Sequence, residues 1–406
     1  MNKKLILSAA LATFGLIGGL IPTVEAAPPG TGFDDVPDVV IGGGSDTTYL
    51  VSQRLEALYN STPGCTITTS SSSTSKGLCV LGQTTPANGN FDHDIFVGAT
   101  PTGSSAGVVA ITTGPQYNPA IDYARSSRGP ASTAETNVAT FWGYASDAIA
   151  VLSFGSRTGV AVTKQQLKDI YTCVLTDWSQ LGQPAGPIIP WDMNAASGTT
   201  ASFKTYTDNV VFGPCVRKLT NGTAPFENDV KPVLADLGPD LAAGTADDDE
   251  NNYIWWMSYA NWKTYPYTTG AIPAGGSTRV STALANVEGA TPSDGSVFDR
   301  SYPIVRTIFH VTREADADCN TAVGTEGVCT TGPAVSGTTV GGKGGAVRMF
   351  TEWLCRTSNA QQQVNVVTGR GMRTEIVNAI TAEGFQQLSP SVANLRTPGY
   401  ACQVFN

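Results

Sequence analysis

Charge is scarce in this chain. Asp, Glu, Lys and Arg together make up 14% of its 406 residues, and histidine occurs only as His93 and His310. A net charge of −9 without clustered Lys and Arg excludes a nucleic-acid partner, because a phosphate backbone demands a concentrated basic surface. It does not exclude one small anion, which a buried site can hold with hydroxyls and backbone N–H groups. Two histidines leave little material for a Ser–His nucleophile system. There is no Gly-x-Ser-x-Gly elbow, Walker loop or Rossmann fingerprint. His310 follows Ile308 and Phe309 in a strand-like run and reads as a packed strand position. An acid-pair glycosidase stays open, since sequence does not reveal distances between carboxylates. The chain is read as a non-enzyme. Cys-x-x-Cys spacing is also lacking, so neither a metal nor another cofactor is expected.

Long apolar runs are equally rare. Lys3 and Lys4 precede an apolar stretch from Leu5 to Ile21, and Val24-Glu25-Ala26 supplies small residues in a cleavage pattern. Residues 1–26 therefore read as a secretory signal peptide rather than a membrane span. No cysteine lies near the cleavage pattern, so no lipid anchor is expected, and the protein is placed in the periplasm or outside the cell. The eight cysteines fit that compartment as disulfides. Proximity in sequence suggests Cys65 with Cys79, Cys173 with Cys215, Cys319 with Cys329, and Cys355 with Cys402. The acidic stretch Leu237–Asn252 does not have EF-hand spacing; it reads as a solvated insertion, with calcium binding as the alternative.

What is abundant is Gly, Ser and Thr, placed after short apolar runs. Val39-Val40-Ile41 ends in Gly42-Gly43-Gly44 and passes through Ser45-Asp46-Thr47-Thr48 into apolar positions at helical spacing. Ser45 or Asp46 is the expected cap of that helix. Asp94–Ala99 leads to Gly103-Ser104-Ser105-Ala106-Gly107, and Ile121–Ala124 leads to Arg125-Ser126-Ser127-Arg128. Ala145–Phe154 reads as a strand, with Asp147 as a structural partner rather than an acid catalyst. Thr163 with Gln166 forms a capping box. Ile188–Trp191 is a strand, followed by Ser197-Gly198-Thr199-Thr200 and a helix beginning near Ala201. Trp178, Trp255 and Trp256 read as packing residues. This alternation of strands and helices implies an α/β fold. In such folds ligands bind at the carboxyl ends of strands, where helix starts offer free N–H groups.

The stretch Thr163–Gly182, TKQQLKDIYTCVLTDWSQLG, together with the hydroxyl-rich loops in their order, resembles the phosphate-binding proteins of Pst-type ABC importers, in the type 2 periplasmic-binding-protein superfamily. Tyr302-Pro303-Ile304-Val305 resembles the family strand that returns to the first lobe. The likeness spans roughly residues 38–380. It implies an α/β fold of two lobes with a ligand cleft between them, residues 37–135 plus 298–406 forming lobe 1 and residues 136–297 lobe 2. It further implies a monomeric solute-binding protein for phosphate or a similar small oxyanion, with an ABC permease as possible partner. A secreted surface or interaction protein using the same fold without transport is the alternative. The ligand-binding residues implied are Thr47, Thr48, Ser104, Ser105, Ser197, Gly198 and Thr199. Two positions depart from the family pattern. Ser127 stands where phosphate binders carry an Asp that accepts the ligand's proton, and Met193 stands where they carry an Arg. Arg125 and Arg128, beside Ser127, are the expected replacements for that positive charge.

Overall fold

The computed structural model describes residues 38–60, 93–113, 121–227, 251–264, 282–314, 371–389 and 401–405, with single positions and runs of two or three residues between them. Cys65, Cys79, Cys319 and Cys329, the leader, and most of the acidic stretch lie outside the described residues.

The chain alternates strand and helix as its pattern demands. β1 (Asp38–Gly44), α1 (Tyr49–Asn60), β2 (His93–Thr102), α2 (Ser104–Thr112), β3 (Tyr123–Ser126) and the short α3 (Thr133–Thr136) lead into β4 (Ala139–Phe154). Then follow β5 (Ala161–Val162), α4 (Lys164–Tyr171), β6 (Ile189–Pro190), α5 (Gly198–Tyr206), β7 (Tyr253–Ser258), β8 (Thr282–Leu284), β9 (Asn286–Val287) and β10 (Val305–Arg313). Among the described residues, one sheet runs β2-β1-β3-β10-β4-β7-β6. β1 is parallel to β2 and β3, and β10 is antiparallel to β3 and β4.

The long β4 organises the molecule. All of its residues are buried. Its first part, Ala139–Ala148, pairs with β10, whereas Ile149–Ser153 pairs with β7. The strand therefore passes between separate apolar cores. One gathers residues from Ala148 to Ile304, including Trp178, Trp255 and Trp256. The others hold Val51, Leu55, Tyr123 and Ile376, and Val108, Ile121, Phe141 and Val311. β4 begins at Ala139 rather than Ala145 because Phe141–Gly143 also pairs with a C-terminal strand, Gln403–Phe405.

Local chemistry explains the helix starts nearest the cleft. The Thr163 side chain accepts the Gln166 amide while the Gln166 side chain accepts the Thr163 amide, so the capping box closes in both directions. α5 starts at Gly198, three residues earlier than its apolar pattern implies, because the Ser197 hydroxyl accepts the Thr199 N–H. Phe203, on the buried face of α5, stacks on Trp256 with ring centroids 4.2 Å apart, fixing that helix to the larger core. Cys173 is bonded to Cys215 and Cys355 to Cys402. Each cross-link restricts the unfolded chain, an effect on the order of 3–4 kcal/mol.

Candidate functional site

Three strand-ending loops are laced together before any ligand is considered. The Ser45 amide donates to the Arg125 carbonyl, and the Gly103 amide donates to the Gly44 carbonyl. Gly44 has φ +119°, and a Cβ there would stand 2.4 Å from the Arg125 carbonyl oxygen. Glycine is therefore required where β1 turns into its loop. The loops bring Ser45, Thr47, Ser104 and Ser127 side by side, all buried. Ser45 Oγ donates to Ser127 Oγ over 3.1 Å, and Ser127 Oγ donates to Thr47 Oγ1 over 3.3 Å. Ser104 Oγ lies 3.2 Å from Ser127 Oγ and accepts the Ser127 amide.

The start of α5 closes on this group from the larger core. Thr199 Oγ1 lies 2.9 Å from Thr47 Oγ1. Ser105 donates its amide to the Ala196 carbonyl over 3.3 Å. A Cβ on Gly198 would fall 2.3 Å from Ser104 Oγ and 2.4 Å from Ser127 Oγ, so only glycine permits this approach.

Two charged groups complete the cluster, and sequence reading found neither. Arg306, the second residue of β10, donates through Nη1 to Thr199 Oγ1 at 2.8 Å and to the Ser127 carbonyl at 3.3 Å. Its Nε and Nη2 hold Asp147 Oδ2 at 3.0 and 2.7 Å. Arg306 and Asp147 are register partners across β10 and β4. Asp147 is the lone charge in the otherwise uncharged, buried β4, and that was the one usable signal. Asp147 is thus a structural partner, as read. Glu227 is fully buried. Its Oε2 accepts the hydroxyls of both Thr47, at 2.5 Å, and Thr199, and its Oε1 accepts the Ser258 amide. Asp46 is not seen to cap α1 with its side chain; its Oδ2 accepts the Glu227 amide instead. Burial pushes the Glu227 carboxyl up to about 7, and burial also raises Asp46.

The remaining expected residues sit beside the cluster. Thr48 is buried, but its hydroxyl donates to the Ser45 carbonyl in its own loop. Ser105 Oγ accepts from Arg128 Nε. The expected positive replacements do not reach the Thr47, Ser104, Ser127 and Thr199 hydroxyls. Arg125 passes over the Tyr49 ring and donates to the Gly98 and Ser45 carbonyls. Arg128 is taken by Glu135 of α3, which accepts both terminal nitrogens at 2.9 and 2.8 Å. The cation of the cluster is Arg306, and Met193 is packed into the larger core.

Five buried hydroxyls, a helix start and one guanidinium converging at one point suit a small oxyanion. They do not form a Ser–His nucleophile system. His310 faces Thr351 Oγ1 at 2.9 Å and the Tyr123 and Phe350 rings, and burial holds its imidazole down to about 3. Among the described residues no group of His, Cys, Asp and Glu is placed to hold a metal.

The fold and this cleft define a two-lobed α/β binding protein of the type 2 periplasmic class. The chain belongs to the PBP superfamily, whose domain model matches residues 26–328. Among solved structures, it shares its fold with one assigned to a phosphate ABC transporter substrate-binding protein with bound phosphate from Clostridium perfringens. That match has 15% identity and a TM-score of 0.51, and covers 87% of this chain and 100% of the other. An ABC-type phosphate transport receptor from Vibrio cholerae matches at 17% identity and TM-score 0.43, over 69% and 88% of the two chains. A phosphate-binding protein from Stenotrophomonas maltophilia matches at 18% identity and TM-score 0.42, over 88% and 93%. No curated protein sequence matches the chain. No helix among the described residues is long and apolar enough to cross a membrane.

Proposed function

We propose that the protein is an exported solute-binding protein that captures a small tetrahedral oxyanion, phosphate above all, and presents it to an ABC permease. The carrying observation is the buried convergence of Thr47, Ser104, Ser127 and Thr199 around the Arg306 guanidinium. In this reading residues 37–135 and 298–406 form one lobe and residues 136–297 the other. The ligand favours the closed arrangement by population shift, without chemistry. Thr47, Ser104, Ser127, Gly198 and Thr199 contact the ion, Ser197 holds the α5 start, and Thr48, Ser105, Arg125 and Arg128 brace the loops.

Calorimetric titration of the ligand-stripped mature protein with phosphate tests the proposal. Saturable one-to-one binding supports it. No heat with phosphate, sulfate or another tetrahedral oxyanion overturns it and favours a surface role for the same fold. Within the proposal, Ser104→Ala and Thr199→Ala each remove a group that touches the ion. Losing a hydrogen bond to a buried charged group costs about 1.5–3 kcal/mol, so phosphate affinity should drop roughly 10- to 150-fold. Unchanged affinity in both variants would withdraw these residues from the site.

A further inference from the structure

α5 presents two faces. Phe203 packs into the larger core, whereas Ser202, Thr205, Tyr206 and Asn209 recur at helical spacing on another side. That side forms one wall of a groove of about 760 Å³. Its other walls are Pro130 and Ala131, in the loop after β3, and Pro303 and Ile304, just ahead of β10. The volume is far more than a free tetrahedral ion fills. It falls within the roughly 300–1,000 Å³ of pockets that take a whole small molecule.

The groove adjoins the hydroxyl cluster. Arg306 and Ser202 both line it, and both donate to the Ser127 carbonyl, Nη1 at 3.3 Å and Oγ at 3.5 Å. A phosphoryl group held by Ser127, Thr199 and Arg306 therefore lies next to the groove, and a substituent on one of its oxygens has room there. The walls define the kind of substituent. Among the described residues the charged groups lining the groove are Arg128 and Arg306, with no carboxylate. The α5 side offers hydroxyls and an amide, and the proline and isoleucine side is apolar. A polyol or sugar ring matches both, with C–H faces and O–H edges. The Tyr206 hydroxyl points the same way. It is buried and has no hydrogen-bond partner among the described residues. A buried phenol ordinarily finds one, and a hydroxyl of a bound ligand would supply it.

We propose that the cleft takes phosphate monoesters of polyols or sugars, with the phosphoryl group at the hydroxyl cluster and the alcohol portion in the α5 groove. This rests on the oxyanion reading above and extends it. The groove walls come from residues 128–131 of one proposed lobe and from α5 of the other. The alcohol portion thus bridges both lobes, as the phosphoryl group does, and favours the closed arrangement.

Calorimetric titration of the mature protein with inorganic phosphate, glycerol 3-phosphate, glucose 6-phosphate and glucose tests the proposal. At least one ester should bind about tenfold or more tighter than phosphate, and glucose alone should give no heat. If both esters bind no tighter than phosphate, the proposal is overturned and the oxyanion reading stands. If neither phosphate nor the esters bind, both readings fall together. Two variants locate the alcohol portion. Thr205 is exposed and donates its hydroxyl to the Ala201 carbonyl of its own helix. Thr205→Trp should therefore fill the groove, weaken the esters by at least about tenfold and leave phosphate within about twofold. Tyr206→Phe removes a hydroxyl that has no protein partner, so the melting temperature without ligand should not fall. Its ester affinity should drop about 2- to 12-fold, with phosphate unchanged. Equal losses for phosphate and esters in either variant, or undiminished ester affinity in both, would count against the groove and overturn the proposal.

Discussion

Arg306→Ala is expected to abolish measurable phosphate binding and to destabilise the protein by about 3–5 kcal/mol, because removing one partner of a buried ion pair strands the other. The stranded group is Asp147, 1% exposed, whose Oδ2 takes two Arg306 nitrogens while Oδ1 accepts the Ala260 amide. The same guanidinium reaches Thr199 Oγ1 and the Ser127 carbonyl, so one substitution removes both a strand-to-strand pair and the cation of the proposed site. The two losses are separable. Arg306→Met combined with Asp147→Asn leaves no stranded charge at the strand pair and keeps an acceptor for Ala260, so it should recover the part of the stability lost at Asp147. It should not recover binding, since the charge that offsets the anion is still gone; loss of such a charged contact is worth about 2–5 kcal/mol. Urea unfolding and calorimetry on the single and double variants distinguish the two. Full phosphate affinity in Arg306→Ala would return the cationic role to Arg125 or Arg128.

The comparison of these arginines explains what was legible in the chain and what was not. The strand-loop-helix units were readable because Gly, Ser and Thr punctuate apolar runs, and the three loops meet as α/β topology predicts. Hydroxyls on such loops are short, so position in the chain nearly fixes where they point. Thr47, Ser104, Ser127 and Thr199 come together accordingly. Arginine is long, and its head goes to whichever acceptor is best placed. Arg128 is seven residues from Glu135 and folds onto it, while Arg125 extends to the Gly98 carbonyl. Neither outcome follows from adjacency to Ser127. Arg306 was hidden because it belongs to a strand brought in from more than 100 residues beyond Thr199. Glu227 was harder still. It follows Ala224-Pro225-Phe226 in a segment with no periodicity, and its partner Thr47 is 180 positions away. Only the tertiary fold joins them.

Gly198→Ala is expected to separate the two effects that Arg306→Ala combines, leaving stability intact while impairing binding. Gly198 is the first residue of α5, after the Ser197 cap, where alanine is the better helix former by up to about 1 kcal/mol. Nothing in α5 itself resists the methyl group. The obstruction lies across the cleft, with Ser104 Oγ at 2.3 Å, Ser127 Oγ at 2.4 Å and Ser104 Cβ at 3.0 Å from the added carbon. Two of these contacts are far inside van der Waals distance, and the Ser104 and Ser127 hydroxyls are held by each other and by the Ser127 amide, so they cannot simply rotate away. The cleft must stay wider by a fraction of an ångström on the side where the donors meet. Overpacking of this kind costs about 1–3 kcal/mol. In the proposed reading the cost falls only on the closed arrangement, and it enters the binding constant directly as a weaker phosphate affinity of about 5- to 150-fold. The melting temperature without ligand should be unchanged or slightly raised, while the stabilisation conferred by added phosphate should shrink. Wild-type phosphate affinity in Gly198→Ala would mean that the lobes close on the ligand by a path that does not bring α5 against Ser104, and the site would have to be rebuilt without the second lobe's helix start.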